Sequence, residues 1–235
     1  MKLPEVMRQL EAMGDARTKA TLQRHGAPED IFGVKIGDMQ KIVKKVKKDQ
    51  ALAEELYATG NGDAMYLAGM LADPEVVKPA VLKRWARSAT WGMVGEYAVA
   101  GVAAESPHGW KLGIEWIDAK DEHVACAGWN TLTGVISITP DDALDLKKLK
   151  SLLARVKKEI HKVPNRVRYT MNSFVIAVGC YVVPLSDDAR AAAAAIGKVE
   201  VDMGDTACKV PFAPDYIDKV VKSGRMGRKR KKARC

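Results

Sequence analysis

Apolar residues recur along this chain with the three- and four-residue spacing of helix faces. Val6, Met7, Leu10 and Met13 mark an opening helix that stops at Gly14. Asp15 can cap a second helix, which runs to about His25 and ends at Gly26. Pro28 to Gly37 reads as a loop. In the segment that follows, Met39, Ile42, Val43 and Val46 fall on one face and Lys41, Lys44, Lys45 and Lys48 on the opposite one. This is an amphipathic helix with a lysine stripe. Further helices are predicted over 50–58, from Asp63 after the Thr59-Gly60-Asn61-Gly62 turn, from Asp73-Pro74 through Trp85, and over 93–104. Others follow at Trp110 to Ile117 and over 122–134, 145–161, 166–182, 187–198 and 213–222. Val135 to Ile138 is β-branched but too short to support a sheet. The fold class is therefore all-α. Periodicity alone leaves two architectures open, a globular bundle or helix pairs stacked as a solenoid, with loose spacing slightly favouring degenerate pairs.

Composition narrows the function classes. The chain has 235 residues, 47% of them hydrophobic, which suits one domain over 1–223. No apolar run approaches the ~20 residues of a membrane span. The start of the chain lacks the apolar segment of a signal peptide, so a cytoplasmic, monomeric protein is expected, nucleoid-associated if bacterial. Cys126, Cys180, Cys208 and Cys235 form no paired motif, and His25, His108, His123 and His161 are scattered without metal-ligand spacing. Nucleotide-binding glycine motifs are missing as well. Neither a metal nor a cofactor is expected.

Charge is unevenly placed. The formal net charge is +9, but the segment from Lys222 to Cys235 carries eight basic residues and no acid, so the first 221 residues hold only +1. Residues 224–235 have little apolar content and are expected to form a disordered basic tail that meets polyanions without sequence preference. Within the body, the lysine stripe and a second basic run from Lys147 to Arg168 could line one surface if the chain curves.

Several segments together resemble the DNA alkylation repair (AlkD-like) family: Phe32-Gly33-Val34-Lys35-Ile36-Gly37-Asp38, Thr59-Gly60-Asn61 with Ala64 to Pro74, Ser88-Ala89-Thr90-Trp91, Ala127-Gly128-Trp129, Tyr169-Thr170-Met171-Asn172, and Pro211-Phe212-Ala213-Pro214. They span about residues 30 to 220. The resemblance implies a right-handed superhelix, an α-solenoid of HEAT-like helical pairs, cradling double-stranded DNA on a basic concave face. It also implies excision of cationic N3- or N7-alkylated purines. In such a reaction a carboxylate stabilises the oxocarbenium ion that develops on the sugar, and aromatic faces hold the cation. The family's catalytic-helix aromatic falls on Trp91. Its aspartate position falls on Gly95, so the adjacent Glu96 is the candidate carboxylate. The family's arginine position falls on Cys126 and its further tryptophan on Cys180. Candidate phosphate contacts are Lys35, Lys41, Lys44, Lys45, Lys48, Arg84, Arg87, Arg166, Arg168 and Asn172. Three functions are thus in view: an alkylpurine DNA glycosylase first, then a non-catalytic member that recognises distorted or branched DNA, and last a protein-binding α-solenoid whose tail alone touches nucleic acid.

Overall fold

The computed structural model describes residues 1–234, and none of them lies in a strand. Thirteen α-helices follow one another among these residues: α1 (Leu3–Met13), α2 (Ala16–Arg24), α3 (Ile36–Val46), α4 (Gln50–Ala58), α5 (Gly62–Leu71), α6 (Pro79–Ser88), α7 (Ala100–Glu105), α8 (Gly109–Trp116), α9 (Glu122–Ile138), α10 (Leu146–Glu159), α11 (Asn165–Tyr181), α12 (Ser186–Ile196) and α13 (Ala213–Lys222). A π-helical turn, Met93–Val99, leads directly into α7. No single helix among the described residues is long and apolar enough to cross a membrane.

The helices stack as consecutive pairs. Helix α4 packs on α5, α8 on α9, and α12 on both α11 and α13. One member of each pair also packs on its counterpart in the next, so that α5, the π turn with α7, α9, α11 and α13 form a continuous inner layer. The pattern is that of HEAT-like repeats, in which each unit buries its apolar face against its neighbours. Two hydrophobic cores result. The first runs from Val6 and Leu10 through Leu67 and Trp85 to Ala127, and the second from Ile117 through Trp129 and Phe174 to Ile217. Both take residues from α9, which joins the two halves.

Local chemistry places the boundaries. Asp15, Asp49, Asn61, Asp121 and Asp145 each accept a backbone N–H in the first turn of α2, α4, α5, α9 and α10. The helix expected from Asp73-Pro74 begins instead at Pro79, because the Asp73 carboxylate accepts the Glu75 N–H in a turn while proline suits the first helical position. Val135 to Ile138 simply extends α9. Asp63, expected to open a helix, is 1% exposed within α5, behind the Asn61 cap. Its carboxylate accepts the N–H groups of Phe32, Gly33 and Val34 at 2.7, 2.9 and 3.2 Å and so pins the loop before α3. Burial raises its pKa, and those three hydrogen bonds oppose the rise.

The segment 224–234, expected to be disordered, is laid along the inner layer as an extended strap. The Lys229 and Arg234 side chains and the backbone N–H groups of Gly227, Arg230 and Arg234 find partners on helices that precede α13. Charge rather than apolar burial holds it, so a hydrophobic pattern gave no sign of it. Cys235 lies outside the described residues.

Candidate nucleic-acid interface

The inner layer encloses a groove of about 790 Å³. The π turn delivers Glu96 and Tyr97 to it, α5 delivers Tyr66, α9 delivers Asn130, and α11 delivers Tyr169 and Ser173. A π turn inserts an extra residue into a helix, and such turns occur frequently at functional sites.

At the centre Glu96 is 3% exposed and is gripped by Arg166 through two parallel bonds, Nε to Oε1 at 2.7 Å and Nη2 to Oε2 at 2.8 Å. This fork geometry is the strongest form of carboxylate pairing. Burial alone would lower the pKa of Arg166, but the hydrogen bonds and charge of Glu96 outweigh it and hold the guanidinium above its ordinary value. The guanidinium carbon also sits 4.3 Å from the centre of the Tyr169 ring, a cation–π contact. The backbone N–H of Arg166 donates to Glu122 Oε1 at 2.7 Å, which places an acid at the amino end of α11. Asn130 Nδ2 donates to the Glu96 carbonyl at 3.1 Å. Gly92 leaves room for the carboxylate, since a Cβ there would lie 3.2 Å from Glu96 Oε1. Nearby, burial first and the Glu96 charge second push the Cys126 thiol well above its usual range.

The other candidates are dispersed. Trp91 is not among the residues lining the groove. It is 4% exposed in the first core, and its indole N–H donates to the His25 carbonyl at 3.0 Å, tying the end of α2 to the π turn. Arg166 is engaged by Glu96 and by the Tyr169 ring. Arg168 turns to the carbonyls of Val163 and Glu200, and buried Asn172 donates to the Pro211 carbonyl at 2.8 Å; both hold the segment before α13. Arg84 pairs with Glu54 on an exposed face, and Arg87 is exposed nearby on α6.

Lys35 precedes α3 and is exposed. Of the lysine stripe, Lys41 pairs with Asp38 and Lys48 with Asp73, while Lys44 and Lys45 are exposed. Neither this stripe nor the basic run on α10 contributes a residue to the lining of the groove. Asp73, the partner of Lys48, also feels the charge of Arg234.

Two features escaped the sequence reading. Five of the chain's six tyrosines line the groove: Tyr66, Tyr97, Tyr169, Tyr181 and Tyr216. Tyr97 and Tyr216 are 45% and 49% exposed. The signal was faint, because the five sit on four separate elements and share no sequence spacing. The second feature is the strap itself, with the acids that receive it.

A stack of HEAT-like helical pairs around an aromatic groove bordered by basic residues is a helical-repeat scaffold with a cationic, aromatic concave face. The chain belongs to the DNA alkylation repair enzyme family, whose profile matches residues 6–187. It is 32% identical over 217 residues to an uncharacterized protein of Listeria innocua, covering 90% of this chain and 93% of that one. It is 31% identical to an uncharacterized protein of Listeria monocytogenes, with the same coverage. Among solved structures it is similar, at a TM-score of 0.93 and 39% identity over the whole of both chains, to a protein described as one of a new family related to the HEAT-like repeat DNA glycosylases with affinity for branched DNA structures.

Proposed function

We propose that this protein binds branched or distorted duplex DNA in its concave groove without excising bases. The observation that carries the reading is the closure of Glu96. A carboxylate that stabilises an oxocarbenium ion must face the sugar with its charge uncompensated until the transition state forms. Both Glu96 oxygens are already bonded to Arg166. Trp91 packs in the core, Gly95 has no side chain, and Cys126 is a buried neutral thiol. The catalytic groups of the glycosylase reading are absent or engaged. What remains accessible suits unpaired bases at a branch point, which can stack on tyrosine faces, and phosphates, which cations can contact. The affinity for branched DNA described for the similar solved structure agrees with this reading.

The test is a pair of measurements on the full chain. Incubation with duplex containing N7-methylguanine is expected to release no base. Titration against a four-way junction and a linear duplex of the same sequence is expected to favour the junction. Base release that disappears in Glu96→Gln would restore the glycosylase reading.

A further inference from the structure

Among the described residues, every cation lining the groove belongs to the strap: Arg225, Arg228, Lys229, Arg230 and Arg234. The helices bring a single charged lining residue, Glu96, already closed by Arg166. The strap therefore sets the sign of the surface.

It is held at two points. Arg234 Nη1 donates to the carbonyls of Gly69 at 2.7 Å and Ala72 at 2.9 Å, where the carboxyl end of α5 exposes unpaired oxygens and partial negative charge. Its Nε and Nη2 lie 2.9 and 2.7 Å from Glu105 Oε2, and its backbone N–H donates to Glu105 Oε1 at 2.9 Å. Lys229 Nζ lies 2.8 Å from Asp141 and donates to the Ile136 carbonyl at 3.0 Å. Backbone bonds fix the register between and before these anchors: Arg230 N–H to the Ser137 carbonyl at 2.7 Å, and Gly227 N–H to the Cys180 carbonyl at 2.8 Å. Gly101 in α7 provides the floor. The three atoms nearest to a Cβ there would all belong to Arg234, the first its Cγ at 2.6 Å. The two anchors are half-buried, while Arg225, Arg228, Arg230, Lys231 and Lys232 are exposed.

We propose that the strap is the phosphate-contacting element of the concave surface, with Lys229 and Arg234 as its anchors and the five exposed cations as the groups that meet the nucleic-acid backbone. This inference rests on the DNA-binding reading above and assigns the residues that perform it. The sign of the charge separates it from a competing role as a plug. A segment that blocks DNA by occupying its site would carry acids in place of phosphates. This one carries cations, covers Glu105 and Asp141, and leaves five positive charges facing outward. Without it, DNA entering the groove would meet two uncovered carboxylates.

The experiment frees the strap without changing its charge. Glu105→Gln combined with Asp141→Asn removes the acidic partners of both anchors and keeps every basic residue. Gly101→Leu fills the floor under Arg234. Circular dichroism melts establish that each variant is folded. Junction and linear duplex are then titrated over a range of salt. The expected result is about tenfold or more weaker binding, with a salt slope shallower by about 0.9 for each phosphate that the strap no longer neutralises. Arg230→Ser with Lys231→Ser and Lys232→Ser, leaving the anchors intact, should weaken binding similarly. Unchanged affinity in the freed-strap variants would make the segment a loose polycation and overturn the proposal. Tighter binding would make it a plug and overturn it equally. A wild-type chain without junction preference would sink the branched-DNA reading, yet the anchor comparison on linear duplex would still decide the strap's role.

Discussion

Glu96 and Arg166 are separated by 70 positions in the chain, and each completes the other's charge at the centre of the groove. Removing one partner of such a pair leaves the other buried and uncompensated. Arg166→Met should destabilise the protein by about 2–3 kcal/mol, at or below the low end for breaking a buried pair, because the guanidinium is 32% exposed. Glu96→Gln should cost less, since the amide oxygen still accepts one bond. Combining the two should recover part of the loss through a favourable coupling. Urea midpoints for the four proteins test this, and strict additivity would refute the pairing. The sequence had singled out both residues but assigned them opposite tasks, Glu96 to a sugar cation and Arg166 to a phosphate. Nothing in linear spacing shows that a side chain on the π turn and one at the start of α11 face each other. Residue type was legible here, while pairing across the groove was not.

Helix boundaries were far more legible, because caps and apolar periodicity act within a few residues. Helices α4 and α13 match their expected spans, α3 lies within about two residues of its own, and α1 ends as expected but begins three residues before Val6. The π turn was not foreseen, since its apolar spacing over seven residues differs little from that of an α-helix. The strap was missed for a different reason. Its partners, Glu105 and Asp141, are ordinary helix-end acids in sequence, and only the inward curve of the layer brings them under the basic segment. This contact has its own pH dependence. Burial alone would raise the pKa of Glu105, but the hydrogen bonds and charge of Arg234 outweigh it and hold the carboxyl below its ordinary value of 4.5. A group whose folded pKa is depressed contributes stability that is complete above the unfolded value and lost as pH falls through the folded one. Amide hydrogen exchange should therefore show Arg230 and Arg234 N–H protected from neutrality down to about 4.5 and losing protection below it. Protection that fails already near neutral pH would mean that Glu105 does not hold the strap.

A solenoid whose repeats touch only their neighbours behaves as a spring, and its curvature is set by the sum of small local interfaces. This chain departs from that limit. The strap bonds to Gly69 and Ala72 at the end of α5, to Glu105 in α7, to Ile136 and Ser137 in α9, and to Cys180 in α11. It thereby crosses the inner layer and joins the first hydrophobic core to the second, with bonds between residues as much as 165 positions apart. Such bonds penalise any motion that opens the curve. Two consequences follow for the freed-strap pair Glu105→Gln with Asp141→Asn. Stability should fall by about 2 kcal/mol, as expected for losing charge-assisted hydrogen bonds at partly exposed sites. The radius of gyration in small-angle scattering should rise, because the groove can then widen. If scattering is unchanged while stability falls, the strap is glued to a rigid layer and does not set its curvature. A rise in both radius and junction affinity would mean that the anchored strap narrows and plugs the groove, and its role as the phosphate-contacting element would be overturned.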